Sequence, residues 1–423
     1  MTPEPVEATA RRTPGRRRLA IGALLAVVGP GLLAGLSDDD PAGITTYSVL
    51  GARYGYSFLW VLALSTIALI VFHSLGARMG VVTGQGLIGL IRQRFGVALA
   101  GLALIALVLA NLGTTIAEFA GIAAGCELFG IPRLVSVPIA AIGVSLLVLR
   151  GSFHRVEHVL IAVSTVFIAY VASGILAGPD WGAAAKGLVV PTLPTSRDAI
   201  IIVTATLGTT LAPWGLSFIQ SYAVDKKLRV RDLPFERIDV VTGATLTGVI
   251  GFFVVVACAA TLWRNGESID TAADAARALE PLAGDLAGKL FGLGLIGAAL
   301  LAASILPLST SYSICEYLGV EAALDDRFRD AKPFYVTYGV ITAVAALVIL
   351  LPNAPLVTIL VATQVLNAVL LIPLLIFMVR VGRDGTLMAE HRISTAGLVV
   401  YAATIALIVT CVAALLVASL TGT

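Results

Sequence analysis

The stretch Gly29-Pro-Gly-Leu-Leu-Ala-Gly-Leu-Ser-Asp-Asp-Asp-Pro-Ala-Gly-Ile44 places three consecutive carboxylates and a proline inside an apolar run. In hydrocarbon each charge costs at least about 2.5–3.5 kcal/mol, and Pro41 removes a helical hydrogen bond. Because successive residues of an α-helix are about 100° apart, Asp38, Asp39 and Asp40 cannot all face one site on an intact helix. The pattern predicts an unwound membrane helix with carboxylates and free backbone carbonyls at mid-depth.

The composition agrees with a chain made mostly of membrane helices. Apolar residues make up 58 % of the 423 residues and charged residues 13 %, against roughly 45–50 % and about 25 % in soluble domains. So little polar surface excludes a soluble enzyme, a disordered chain and a secreted disulfide scaffold. It favours a multi-span, all-α membrane protein. The net charge of +2 gives no support to a nucleic-acid partner.

Eleven apolar runs are long enough to span a bilayer, which takes about 17–25 residues. We place them at residues 19–52, 56–77, 97–126, 134–150, 156–178, 198–224, 238–263, 287–318, 334–351, 355–380 and 394–420. Residues 1–18 are polar and are predicted to be disordered. With the N-terminus inside, 21 of the 28 Lys and Arg residues fall on the inner side. This asymmetry predicts a cytoplasmic N-terminus and an outer C-terminus in the inner (plasma) membrane, and we expect a monomer in the bilayer.

The sixth span repeats the interruption in Leu207-Gly-Thr-Thr-Leu-Ala-Pro-Trp-Gly215, where Gly208 and Pro213 break an apolar run. Taken alone, this span could carry a simple proline kink. Interrupted spans five apart are, however, typical of inverted-repeat transporters, whose substrate site lies at the bilayer midplane. The pattern predicts one repeat over 19–178, an inverted repeat over 198–380 and an extra helix over 394–420.

Four stretches carry a family resemblance: Gly29–Pro41, Ser74-Leu-Gly-Ala-Arg-Met-Gly-Val-Val-Thr-Gly84, Ala117-Glu-Phe-Ala-Gly121 and Thr363-Gln-Val365. They resemble the natural resistance-associated macrophage protein (Nramp) family of divalent-metal transporters. The resemblance implies a LeuT-like fold of two inverted five-helix repeats plus one helix, with spans one and six broken. It also implies a metal ion held between these two spans as transported substrate, with no cofactor.

The chain departs from the family pattern at both breaks. The family's Asp-Pro-Gly-Asn reads Asp40-Pro-Ala-Gly43, so the aspartate is kept and the asparagine is lost. The family's Ala-x-x-Met falls on Thr209-Thr-Leu-Ala212, which removes the thioether, and Trp214 replaces a histidine. In the third span Thr115 stands where the family has an aspartate, while Glu118 is kept.

These departures favour a hard cation. Thioether sulfur selects soft or borderline metals, whereas Mg²⁺ prefers six oxygen ligands and keeps several of its waters. The resemblance is therefore closest to the family's magnesium-transporting branch. Direct or water-bridged ligands are expected from Asp40, the carbonyls of Thr209 and Ala212, the Thr209 hydroxyl and Gln364. Asp39 or Asp38 would supply a second negative charge, beside the space that Gly43 leaves open.

Transport is expected to proceed without proton coupling. Histidine titrates near physiological pH, and we expect His73, His154, His158 and His391 near cytoplasmic span ends. Glu118 would lie on an ion or proton path or pair with buried polar groups. Trp214 would plug the family's proton route or simply fill space.

Three alternatives stay open from the sequence. A proton-coupled Mn²⁺/Fe²⁺ importer fits the family. A LeuT-like transporter of amino acids or amines fits the fold, although aspartates at the break would repel a substrate carboxylate. A membrane enzyme would need a nucleophile–base pair at mid-depth, and the sequence shows none, so we expect no enzymatic activity.

Overall fold

The computed structural model describes residues 34–35, 37–149, 169–320, 328–352 and 354–421, and every regular element in these residues is a helix. Fourteen α-helices of eight or more residues follow one another in this part of the chain. They are α1 (Pro41–Tyr54), α2 (Leu59–Thr83), α3 (Leu87–Phe95), α4 (Val97–Glu127), α5 (Arg133–Leu149), α6 (Ala169–Leu176), α7 (Trp181–Val189), α8 (Arg197–Thr210), α9 (Pro213–Asp225), α10 (Leu233–Cys258), α11 (Ala287–Leu318), α12 (Lys332–Ile349), α13 (Leu356–Gly382) and α14 (Thr395–Thr421).

The first predicted break is present, and the helix that follows it begins with a side-chain cap. Residues 37 and 38 are helical, Asp39 and Asp40 form a bend, and α1 begins at Pro41. Asp40 has an extended backbone (φ −75°, ψ 169°), and its side chain accepts a hydrogen bond from the Gly43 N–H. Proline suits the first helical position because its missing N–H would be unpaired there anyway. The Asp-Pro pair thus both ends one half-helix and starts the next.

The second break separates α8 from α9. Leu211 (φ −111°, ψ 62°) closes α8, and Ala212 (φ −70°, ψ 136°) precedes Pro213 at the first position of α9. Two non-helical residues therefore lie between two half-helices, as the Gly208/Pro213 pattern predicts.

The centre of the bundle is formed by the broken helices and their neighbours. α4 packs against α11 and α13, α8 against α13, and α10 against α1 and α2. Gly208 makes the α8–α13 contact possible, because a Cβ there would collide with the Gln364 carbonyl. Gly121 does the same for α4, where a Cβ would strike the ring of Pro41. Both broken helices are thus held against unbroken ones at the level of their breaks.

The outer surface is apolar, as a lipid-facing surface requires. Leu102, Ile105 and Leu109 follow one face of α4 and are 57 %, 59 % and 49 % exposed. Eight helices among the described residues are long and apolar enough to cross a membrane, and Arg133–Leu149 is a shorter apolar helix.

The predicted spans match these helices with some differences. The described residues leave out residues 1–18, most of the first half of span one, and residues 150–168, which include the end of span four, His154, His158 and the first part of span five. The count of eleven spans therefore stays a prediction. The link at 78–94 and the loop after α6 contain helices α3 and α7, which the hydropathy pattern does not predict. The outer loop 264–286 holds two short α-helices, Ala272–Ala276 and Glu280–Ala283.

The second span is longer than predicted. The sequence placed its end at residue 77, but α2 continues to Thr83 and ends at Gly84, which has a left-handed backbone (φ 65°). Glycine adopts this conformation without steric cost, so it terminates helices. The extension moves His73 into the middle of α2, and its side chain is buried. The expectation that His73 lies near a cytoplasmic span end is therefore wrong.

Candidate metal site between the two broken helices

The two breaks meet at Gly43, in the first turn of α1. A Cβ at Gly43 would lie 2.8 Å from the Asp38 carbonyl oxygen, 3.2 Å from Asp40 Oδ1 and 3.2 Å from Thr209 Oγ1. Oxygen atoms from both broken helices therefore surround the space that a side chain at position 43 would fill. Gly43, which stands where the family has asparagine, is thus the residue at which oxygen atoms of the two breaks meet.

Asp40 has two roles in this geometry. Its carboxylate is buried and accepts the Gly43 N–H at 2.5 Å, which caps α1. The positive end of the α1 dipole also favours a negative charge here. One carboxylate oxygen is thus fixed by the backbone, and this bond orients the whole group toward the second break.

Asp38 and Asp39 are buried beside Asp40, each 2 % exposed. All four of their carboxylate oxygens are buried without a hydrogen-bond partner among the described residues. None of the ion pairs in this part of the chain involves either residue. Buried carboxylates without compensation cost several kcal/mol each, so this region favours a bound cation.

Glu118 adds a fourth carboxyl group from α4. It is fully buried, and it lies close enough to Asp40 for their side chains to interact. Thr115, one turn earlier, donates its hydroxyl to the Asn111 carbonyl at 2.7 Å, a bond within the same helix. Glu118 therefore reaches the site directly, whereas Thr115 is satisfied by its own backbone.

The second break contributes Thr209, Ala212 and Trp214. The Thr209 hydroxyl is buried without a hydrogen-bond partner in the described part of the chain. Ala212 is 3 % exposed, and its methyl group packs in the same cluster as Trp214 and Phe218. The Trp214 indole is buried, and its backbone carbonyl accepts the Ser309 hydroxyl at 3.1 Å. The Trp214 side chain thus packs in a buried cluster with residues of α11, and both of its predicted roles stay predictions.

Gln364 is buried, but its amide is already paired. Its Oε1 accepts the Asn367 amide at 2.9 Å, and its Nε2 donates to Thr363 at 3.3 Å. Asn367 in turn donates to Thr114 at 2.9 Å. The chain of bonds joins α13 to α4. Gln364 therefore holds the helices around the site in this structure, and a role as ligand would require its amide to leave Asn367.

The sequence did not place three further polar residues, Tyr47, Ser65 and His73, near the breaks. Tyr47 on α1 and Ser65 on α2 both contact the Thr210 hydroxyl, at 2.9 Å and 3.2 Å, which ties three helices together. His73 Nε2 and Asp38 Oδ1 lie 3.1 Å and 3.7 Å from the Cβ position of Gly215 on α9. An imidazole thus flanks the same point as one of the site carboxylates. A correct prediction of the residue at which α2 ends would have placed His73 near the breaks.

Glu316 holds the bundle together at the end of α9. Its Oε1 accepts the Ser221 hydroxyl at 2.6 Å, and its Oε2 accepts the Ile88 N–H of α3 at 3.1 Å. Nearby, Gln220 donates to the Gln85 carbonyl at 2.9 Å. The half-helix α9 is therefore joined to α3 and α11 at the end predicted to face the cytoplasm.

The described residues contain no group of three or more His, Cys, Asp or Glu side chains placed to hold a metal ion. A metal ion beside Gly43 does not require such a group, because the oxygen atoms there come from one carbonyl, one hydroxyl and one carboxylate. Such mixed oxygen donors suit a cation that retains part of its hydration shell.

Two half-helix breaks that meet at buried oxygen atoms inside an apolar bundle define a LeuT-like transporter. The chain belongs to the Natural resistance-associated macrophage protein-like family, whose profile matches residues 31–418. It is 31 % identical over 304 residues to the divalent metal cation transporter MntH of Burkholderia ambifaria, and the matched region covers 69 % of this chain and 68 % of that relative. The MntH of Bacillus subtilis is also 31 % identical, over 297 residues, covering 68 % and 69 % of the two chains.

A solved structure confirms the fold. The manganese transporter of Eremococcus coleocola superposes with a TM-score of 0.75 at 18 % identity, covering 96 % of this chain and 90 % of that chain. The chain is thus a multi-pass membrane transporter of divalent metal cations, and the predictions of an Nramp resemblance and of no enzymatic activity are confirmed. An amino-acid or amine transporter, the other LeuT-like alternative, is excluded by this family membership.

Proposed function

We propose that this transporter carries Mg²⁺, in partly hydrated form, by alternating access between its two repeats. The supporting observation is the set of oxygen atoms around Gly43, drawn from Asp38, Asp40 and Thr209. An aliphatic side chain, Ala212, stands where the family pattern has its thioether. In the described part of the chain, neither break therefore offers a sulfur ligand.

The small residues at the two breaks support the same ion. Glycine at position 43 and alanine at position 212 contribute no side-chain ligand, and oxygens of Asp38, Asp40 and Thr209 lie 2.8–3.2 Å from the Cβ position of Gly43. Mg²⁺ releases its waters reluctantly and is bound through one or two carboxylates in most proteins. Asp40 would be the direct carboxylate, and the unpartnered oxygens of Asp38, Asp39 and Glu118 would hold the outer waters and balance the charge.

We infer alternating access because the broken helices of the two predicted repeats meet at the site. The repeats over 19–178 and 198–380 would move against one another around the ion, with 394–420 outside both. The predicted orientation places the α9–α11 contact through Glu316 on the cytoplasmic side. Opening toward the cytoplasm would then break the Ser221–Glu316 hydrogen bond.

The ion selectivity can be tested by restoring a thioether. Ala212→Met should lower the ratio of Mg²⁺ to Mn²⁺ uptake into proteoliposomes by at least tenfold, because sulfur stabilises the softer ion. Leu216→Met, on the same half-helix and in a different core cluster, is the matched control and should leave the ratio unchanged. An unchanged ratio in Ala212→Met, with uptake retained, contradicts this assignment of the second break.

A proton-coupled Mn²⁺ importer is the second candidate. It is favoured by the names of the relatives and by His73, whose buried imidazole flanks Asp38 through Gly215. Because one histidine does lie beside the breaks, transport without proton coupling rests only on Thr115 and Trp214. A pH-sensitive dye inside the liposomes separates the two: acidification that follows the metal supports coupling, and its absence supports uniport.

A further inference from the structure

A cavity of about 460 Å³ lies between α2, α10 and α14, away from the broken helices. Its polar wall is formed by Arg78, Glu236 and Arg237, and its apolar wall includes Val71 and Val400. One cavity thus combines a carboxylate, two guanidinium groups and an apolar surface.

Glu236 is the unusual member of this set. The residue is 1 % exposed, and neither carboxylate oxygen has a hydrogen-bond partner among the described residues. Lys226 attracts the Glu236 carboxylate electrostatically, whereas Asp239 repels it. A buried carboxylate without a hydrogen bond is costly, so Glu236 is placed to receive a cationic donor from a ligand.

Arg78 and Arg237 present the opposite charge. The Arg78 Nε is buried and unpartnered within the described chain, although its guanidinium also approaches the Tyr401 hydroxyl. Arg237 is exposed at the rim. Guanidinium groups bind phosphate through paired N–H donors, so the two arginines suit a phosphodiester.

The depth of the cavity matches a lipid headgroup. Glu236 lies in the first turn of α10 and Arg78 near the end of α2, so each is within about 10 Å of a helix end. Headgroup regions add roughly 5–8 Å to each side of the hydrocarbon. Val400 lines the cavity yet is 43 % exposed on the lipid-facing helix α14. The cavity therefore opens toward the bilayer at headgroup level.

We propose that this cavity binds the headgroup of a phosphatidylethanolamine lipid, with its ammonium on Glu236 and its phosphodiester on Arg78 and Arg237. The acyl chains lie along Val71 and Val400. An anionic glycerol headgroup offers Glu236 no cation, and a trimethylammonium headgroup offers it no N–H donor. The charge pattern therefore selects a primary ammonium.

Native mass spectrometry of the delipidated full chain in detergent tests this assignment. With equal amounts of phosphatidylethanolamine, phosphatidylglycerol and phosphatidylcholine, the ethanolamine lipid should bind at least fivefold more than either competitor. Glu236→Gln should abolish that preference, and Arg78→Gln should weaken binding of all three lipids. Glu390→Gln, whose side chain is 87 % exposed in the loop before α14, is the matched control and should change nothing.

Three results would overturn the assignment. The first is equal binding of the three lipids to the unsubstituted protein, and the second is a preference that survives Glu236→Gln. The third is displacement of the lipid by equimolar soluble phosphoethanolamine, which would identify a site for a free phosphate compound because that probe lacks acyl chains.

Discussion

A single methyl group at Gly43 is expected to disrupt the candidate ion site. Its Cβ would lie 2.8 Å from the Asp38 carbonyl and 3.2 Å from both Asp40 Oδ1 and Thr209 Oγ1, closer than ordinary contact distances. Overpacking of this kind costs about 1–3 kcal/mol. If this cost falls on the ion-bound state, the KM for Mg²⁺ uptake rises between about 5-fold and 150-fold, since 1.36 kcal/mol is a factor of ten.

The assay is uptake of Mg²⁺ by Gly43→Ala in proteoliposomes over a range of ion concentrations. Gly339→Ala on α12 is the matched control, because a Cβ there meets no atom within 4 Å. It should keep the original KM and a melting temperature at least as high, since alanine favours helix. A KM within twofold of the unsubstituted value for well-folded Gly43→Ala would refute the placement of the ion beside Gly43.

Three further predictions concern charged groups at different depths. Glu118→Gln should raise the KM for the divalent ion at least tenfold in the same uptake assay, because a unit charge at about 4 Å contributes about 1–4 kcal/mol at high to intermediate dielectric. Glu316→Gln should increase the alkylation rate of Cys315 about tenfold in peptide-resolved mass spectrometry, since an amide replaces a charge-assisted acceptor worth about 1.5–3 kcal/mol. Hydrogen bonds from Thr386 lower the pKa of Asp384 to about 2, so this carboxylate stabilises the fold fully above the ordinary pKa of about 4 and loses that effect as pH falls toward 2. The melting temperature of Asp384→Asn should thus lie below that of the unsubstituted protein from pH 8 to pH 5, with the gap narrowing only below about pH 4.

Each of these substitutions has an internal comparison. Glu127→Gln, at the last residue of α4 and about 14 Å along that helix from Glu118, should leave uptake unchanged while Glu118→Gln impairs it. Cys258, buried near the opposite end of the bundle, should react at an unchanged rate in Glu316→Gln. For Asp384→Asn, a gap in melting temperature that narrows already between pH 8 and pH 5 would contradict the lowered pKa.

The broken helices could be predicted because their signals are local. The three aspartates beside Pro41 and the combination of Gly208 with Pro213 locate each break within a few residues. Proline alone is a weaker signal, because Pro138, Pro307 and Pro373 lie inside continuous helices. The pairing of Asp40 with Glu118 is different, since it depends on how α4 crosses α1. The close contact between Gly121 and the ring of Pro41 places α4 against the start of α1 and so brings these carboxyl groups near each other.

The errors also have physical causes. His73 was misplaced because the hydropathy pattern ended span two at residue 77, whereas α2 continues to Thr83 and ends at Gly84. The role of Gln364 as a ligand stays a prediction, and in this structure its amide is engaged by Asn367, one turn along the same helix. Hydrogen-bond partners of buried amides depend on side-chain rotamers, which the sequence pattern does not specify.

The central claim, that the site between α1 and α9 transports Mg²⁺, is tested most directly by uptake into liposomes that contain a magnesium-sensitive dye. The unsubstituted chain should carry Mg²⁺ into these liposomes, and Asp40→Ala should abolish the flux. Uptake of Mn²⁺ with no entry of Mg²⁺ under the same gradient would contradict the claim.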